Sequence, residues 1–198
     1  MSGLELIVVR HGRTAWNLDG RFQGHTDMPL DNAGRAQARR LADALRAEPF
    51  DCVVASDLAR AFETAKIIVR ERDLEIQPDA RWREMAFGAW EGLTWEQIVA
   101  RQPALRDARA HEALPPDGES FAQLCERVRA ALDDLQASGA GCALVATHAG
   151  PLHALLRVAL GANEAEALRV KFLPASITRL QFTSTNARLI ALNQSVSG

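Results

Sequence analysis

Apolar positions fall along the chain as short continuous runs separated by longer, spaced stripes. Leu4 to Val9 is a mainly apolar run rich in β-branched residues, as in a strand buried on both faces. Asp51 to Ala55 and Cys142 to Thr147 repeat that pattern, and Leu74 to Gln77 is a shorter strand before Pro78. The stripes lie between them. Asn32 to Arg46 places Ala33, Ala36, Leu41, Ala44 and Leu45 near helical spacing with arginines between, which predicts an amphipathic helix. Leu58 to Arg70 predicts a second, with Ser56 or Asp57 as its N-cap. Gly118 to Ala137 carries Phe121, Leu124, Val128, Ala131, Leu132 and Leu135 on one stripe of a long third helix. Pro151 to Leu160 is a fourth, with proline at its first position. Ile177 to Thr183 and Arg188 to Leu192 predict a closing hairpin around Asn186. Alternating strands and helices imply one layered α/β domain over residues 1–198, with a mostly parallel sheet. A cap-like excursion at about 81–116 interrupts the alternation. It holds Trp82, Trp90, Trp95 and Phe87, and is either a flap packed on the core or the wall of a pocket.

Composition narrows the class. The 198 residues are 47% hydrophobic and 24% charged, a globular balance. A net charge of -2 lacks the basic excess of a nucleic-acid partner. Cys52, Cys125 and Cys142 are too few and too scattered for a disulfide framework or a zinc ribbon, which points to a reducing compartment, the cytoplasm. Glu5 and Arg10 interrupt the N-terminal apolar run, unlike a signal peptide, and no run approaches the ~18 apolar residues of a membrane span.

Parallel α/β sheets bind ligands at the carboxyl ends of their strands. Arg10-His11-Gly12-Arg13-Thr14 follows the first strand, Ser56-Asp57-Leu58-Ala59-Arg60 the second, and His148-Ala149-Gly150-Pro151 the Cys142–Thr147 strand. Three crossovers thus set two histidines and at least two arginines on one rim, with helix starts adding free N–H groups. That field suits a dianion such as a phosphate ester. Taken singly, each residue also fits a structural role, as a capping pair or a satisfied histidine; their joint placement is what points to chemistry. His11, His25, His111, His148 and His153 include no i,i+4 pair and no accompanying carboxylate cluster, so a metal-free, cofactor-free site is expected. Walker, Gly-x-Gly-x-x-Gly and Gly-x-Ser-x-Gly sequences are missing, and the cysteines lie in apolar elements. A neutral imidazole is then the best available nucleophile for phosphorus.

These residues resemble the histidine phosphatase superfamily, the phosphoglycerate mutase-like family. The resemblance rests on Arg10-His11-Gly12-Arg13-Thr14-Ala15-Trp16-Asn17, on Gly20 through Asp27 with Pro29-Leu30, and on Ser56 through Ala61 with Thr64-Ala65. It continues in Arg83-Glu84 with Gly88 through Gly92, in Gly118-Glu119-Ser120 and in Thr147-His148-Ala149-Gly150, spanning about residues 4–160. It implies a three-layer α/β sandwich and a metal-independent phosphomonoester hydrolase acting through a phosphohistidine. On this sequence it implies His11 as nucleophile; Arg10, Arg60 and His148 around the phosphoryl group, with Asn17 as a further contact; Glu84 as general acid; and Gln23 and Gly24 in a substrate loop. The Ala149 N–H would add a donor to the transferring group. The excursion's entrance suits a carboxyl that donates a proton, whereas the plain alternative for Glu84 is a surface ion pair with Arg81 or Arg83.

Two positions depart from the family pattern. Arg13 stands where an acidic residue is more frequent, either adding charge at the mouth or pairing with Asp19 or Asp27. Ala149 stands where glycine is usual, at a cost of roughly 1 kcal/mol if that position needs a positive φ. The family's mutases are longer, with a shielding tail; the short polar end Asn193–Gly198 favours hydrolysis over phosphoryl transfer. A third reading is a phosphate-binding module without turnover. The expected partner is a small-molecule phosphate ester. Trp82, Phe87, Trp90 and Trp95 could wall an apolar or aromatic body, or instead pack the flap. A second copy of the chain, in a homodimer, is the other partner considered.

Overall fold

The computed structural model describes residues 3–107, 113–183 and 186–196, so His111 and the last two residues of the polar end lie outside the described residues. Four strands run parallel in the order β3-β2-β4-β1: β1 (Glu5–Arg10), β2 (Cys52–Ala55), β3 (Ile76–Pro78) and β4 (Cys142–Thr147). Two antiparallel strands, β5 (Ser176–Phe182) and β6 (Ala187–Ser195), extend the sheet beyond β1. The helices are α1 (Ala15–Leu18), α2 (Asn32–Ala44), α3 (Ala59–Ile68), α4 (Trp95–Arg101), α5 (Phe121–Ala137), α6 (Ala149–Leu160) and α7 (Glu164–Arg169). None of the described helices is long and apolar enough to cross a membrane.

Strand alternation explains the three layers. Leu6 and Val8 of β1 share one buried cluster with Leu124, Val128 and Leu132 of α5 and Leu155 of α6. Ile7 and Val9 share the other with Leu41 of α2, Leu45 just beyond it, and Ala65 and Ile68 of α3. With both faces covered, a central strand has no polar side, which is why it reads as a continuous apolar run. Leu144 of β4 is fully buried, and truncating it to alanine should cost about 2–5 kcal/mol.

Several boundaries differ from the expected ones. α6 opens at Ala149, making Pro151 its third residue, where proline still lacks only an N–H that no helical carbonyl needs. α5 opens at Phe121 in a capping box of Ser120 and Gln123, not at Gly118. Neither Ser56 nor Asp57 caps α3. Its N-cap is Leu58, and the Ala59 N–H donates to the Asp27 carboxylate of a distant loop at 2.7 Å. β3 starts two residues later than expected and takes in Pro78, which is tolerated because β3 is an edge strand. α1, α4 and α7 are too short to show a period; their signal is the capping boxes Thr14/Asn17, Thr94/Gln97 and Asn163/Glu166.

Candidate active site

The parallel register of β1 and β4 runs from Glu5 opposite Cys142 to Arg10 opposite Thr147, so both strands end level. His11 and His148 follow directly. The His11 N–H donates to the Thr147 carbonyl at 2.9 Å, and the two rings stand 5.0 Å apart, centroid to centroid, tilted by 59°. Both are buried. Their partners assign the protons. His11 Nδ1 lies 2.7 Å from the Gly12 carbonyl, which only accepts, so Nδ1 carries the hydrogen and Nε2 keeps a lone pair. Arg60 Nε donates to His148 Nδ1 at 3.2 Å, so His148 carries its hydrogen on Nε2 and gives it to Ser56 Oγ at 2.9 Å. Burial, followed by the Arg60 charge, pushes both imidazoles well below their usual pKa, and both are neutral at pH 7.

Arg60 is fully buried at the start of α3 and also donates to the Thr26 and Gly24 carbonyls at 2.9 and 2.7 Å. Burial lowers its pKa to about 10 against the attraction of Glu84 and Asp27, so it stays charged. Arg10 donates to the Phe172 carbonyl at 2.6 Å, while its buried Nε has no hydrogen-bond partner among the described residues. Burial lowers its pKa too, and the Glu84 charge opposes this.

The turn carrying His11 is held by a close backbone approach. A Cβ on Gly12 would strike the Gly34 carbonyl, and one on Gly34 would strike the Arg13 carbonyl. The Gly12 N–H donates to Thr64 Oγ1, which itself donates to the Arg60 carbonyl at 2.7 Å, tying the β1 turn to α3. Arg13 pairs with neither Asp19 nor Asp27. Its Nε meets Asp31 at 2.8 Å, because Asp31 caps α2 beside it while Asp27 is engaged at α3.

Glu84 is 8% exposed and is not a surface ion pair. Arg81 is taken by Asp79 and Asp134, and Arg83 by Asp57, which are the acidic groups nearest to each. Glu84 Oε1 instead accepts the N–H groups of Met85 at 2.9 Å and Gly150 at 2.8 Å, which draws it to the first turn of α6 just after His148. Its charge reaches both Arg10 and Arg60.

Two supporting residues lie outside the expected site: Arg127 carries no signal in the sequence, and Glu91 falls within the Gly88–Gly92 stretch that carries the family resemblance. Arg127, in the middle of α5, donates to the carbonyls of Arg81, Arg83 and Glu84 at 2.7, 2.7 and 2.9 Å and to the Glu119 carboxylate at 2.6 and 2.8 Å. It clamps the backbone on which Glu84 rides. Glu91 gathers the Thr26 hydroxyl and the amides of His25, Thr26 and Phe87. Burial pushes its pKa up, but those bonds together hold it below the usual carboxylate range.

Asn17 Oδ1 accepts the Thr14 N–H at 3.1 Å, closing the α1 capping box. Buried Gln23 accepts from Thr14 Oγ1 at 2.9 Å, and Gly24, at φ +53°, offers its carbonyl to Arg60. Ala149 is the first residue of α6 and is not at positive φ, so the family's glycine is not needed there.

A cavity of about 340 Å³ adjoins Glu84, Ala149 and Gly150. Of the aromatic wall expected in the excursion only Phe87 lines it. Trp82 and Trp90 are buried, and Trp95 packs edge-on to Trp90 at 5.9 Å. Phe22, edge to face with Phe87 at 4.9 Å, takes the tryptophans' place.

Comparison with known proteins identifies the family and the fold. The profile of the histidine phosphatase superfamily (branch 1) matches residues 6–195. A phosphoglycerate mutase-like protein 4 of Arabidopsis thaliana is 38% identical over 158 residues, covering 76% of this chain and 69% of that one. Among solved structures, a mycobacterial glucosyl-3-phosphoglycerate phosphatase superposes with a TM-score of 0.89 at 31% identity, over 96% of this chain and 99% of the other. An alpha-ribazole phosphatase from Shigella flexneri superposes with a TM-score of 0.87 at 28% identity, over 98% of both chains.

Proposed function

The chain belongs to the histidine phosphatase superfamily, whose members similar to it are phosphatases and mutase-like proteins, and from that premise we propose that it hydrolyses small-molecule phosphomonoesters through a phosphohistidine on His11. The observation that carries this reading is the proton arrangement of His11. With Nδ1–H held by the Gly12 carbonyl, the Nε2 lone pair is available beside two guanidinium groups. Nε2 attacks phosphorus as the bond to the ester oxygen breaks. Arg10, Arg60 and the Ala149 N–H at the start of α6 stabilise the charge on the phosphoryl oxygens, and a phosphoryl oxygen would satisfy the unpartnered Arg10 Nε. Glu84 takes up the proton that a monoanionic phosphate ester brings into the site and gives it to the departing alkoxide. It then takes one from water, which attacks phosphorus, breaks the Nε2–P bond and releases phosphate. His148, neutral and held by Arg60 and Ser56, keeps its ring 5.0 Å from that of His11, centroid to centroid, on the wall of the phosphoryl pocket. The two guanidinium groups supply the positive charge, so the scheme calls for no metal.

The test is p-nitrophenyl phosphate hydrolysis in excess chelator, with acid-labile phosphoprotein trapped in wild type and in His11→Ala. Turnover in chelator and loss of the label in the variant are expected. Label persisting without His11, or activity that chelator removes and a metal restores, would overturn the scheme. Transfer to a second hydroxyl is the alternative, favoured by the burial of both imidazoles, which shields a phosphohistidine from water. Interconversion of 2- and 3-phosphoglycerate faster than phosphate release would establish it. Phosphate binding without turnover would leave only a binding module.

A further inference from the structure

The cavity beside Glu84 bears on the alcohol half of the substrate. A proton from Glu84 goes to the bridging oxygen, so the group attached to that oxygen must lie on the Glu84 side of the phosphorus. On that side the walls are apolar: Phe22, Met85, Phe87, Phe121, Leu124 and Leu168. Leu114, 66% exposed, lines the cavity as well. No lysine or arginine lines the cavity among the described residues. Its charged side chains there are Glu84 and the exposed Glu164, four residues before Leu168 on α7. His153, also lining it, directs Nε2 to the Val170 carbonyl at 2.8 Å. A carboxylate or second phosphate on the alcohol would therefore face, among the described residues, two glutamates and no guanidinium or ammonium group. An uncharged hydrocarbon or aromatic body would leave water for a matching surface, and 340 Å³ lies within the range of small-molecule sites.

We propose that this cavity selects esters whose alcohol has an uncharged, apolar or aromatic body, with Phe22, Phe121 and Leu168 as the specificity-determining contacts, and that it selects against acid-bearing esters such as the phosphoglycerates. The proposal rests on the phosphohistidine reading above. The experiment measures kcat/KM of the full chain on primary alkyl phosphates from ethyl to hexyl, whose leaving groups are nearly equally basic, and on 3-phosphoglycerate. The ratio kcat/KM should rise about two- to fourfold per methylene until the chain fills the cavity. Hexyl phosphate should exceed 3-phosphoglycerate by at least tenfold. Leu168→Arg and, on the exposed helix face, Glu164→Lys should each lower that preference severalfold by raising 3-phosphoglycerate turnover. A flat alkyl series, or 3-phosphoglycerate as the better substrate, with the phosphoprotein label intact, overturns the cavity assignment alone. No label and no turnover with any ester overturns the phosphohistidine reading and this proposal with it.

Discussion

Replacing Gly150 with alanine should detach Glu84 from the site while leaving the nucleophile alone. Gly150 is the second residue of α6, where helical backbone accepts alanine and by propensity prefers it by up to about 1 kcal/mol. Space decides otherwise. The added methyl would fall against Glu84 Oε1, with Leu124 Cδ2 and the Met85 nitrogen both at 3.2 Å. The carboxylate must swing away and give up the amides of Met85 and Gly150, bonds to a charged group worth roughly 1.5–3 kcal/mol each. Less the helix gain, the net loss of stability is about 2–5 kcal/mol, or roughly 5–15 °C in Tm for a chain of this size. A displaced general acid costs on the order of 10²–10⁴ in rate where the leaving group needs a proton. We therefore expect that loss on hexyl phosphate and less than about tenfold on p-nitrophenyl phosphate, whose leaving group departs unprotonated. Adding Glu84→Gln to Gly150→Ala should cost little more on hexyl phosphate than either change alone, because both remove one function. Equal losses on the two substrates, or wild-type turnover of hexyl phosphate by Gly150→Ala, would refute the role given to the Glu84 carboxyl.

Arg60→Ala should lower kcat/KM by two or more orders of magnitude, about 3 kcal/mol of transition-state contact; a near-wild-type rate places Arg60 outside the reaction. Stability should fall with acid because of His11 and His148. Their folded pKa values lie below the ordinary 6.5, so above 6.5 neither state binds a proton, and below it the unfolded chain binds protons that the native one refuses. The pair should contribute a slope of up to about 2.7 kcal/mol per pH unit as pH drops below 6.5 toward the folded values, read by urea unfolding between pH 7 and 5. His148→Asn should halve that contribution, and an unchanged slope contradicts the neutral pair. Arg127→Met should leave the carbonyls of Arg81, Arg83 and Glu84 without their donor, lowering Tm by about 10 °C. It should also slow alkyl esters more than p-nitrophenyl phosphate, whereas equal slowing of both would make Arg127 structural only.

Local patterns in the chain determined more than the fold class. Runs such as Leu6–Val9 and Cys142–Thr147 are apolar throughout because helices cover both faces of the sheet, and that alone places the residues just after each run at the carboxyl edge. Arg10, His11, Arg60 and His148 were legible for this reason: their separation along the chain is large, but parallel topology returns every strand end to one rim. The tertiary structure decided whatever depends on a partner from elsewhere in the chain. The hydrogen of His148 is set by Arg60 and Ser56, 88 and 92 residues away, and Glu84 faces inward because Gly150 offers an amide 66 residues further on. The Arg127 clamp, the Asp27 cap on α3 and the exchange of tryptophan for Phe22 in the cavity wall are of the same kind. A period of two or 3.6 residues records which face of an element is buried. A single long-range hydrogen bond or ring contact repeats nothing along the chain, and so it exists as information only once the chain has folded.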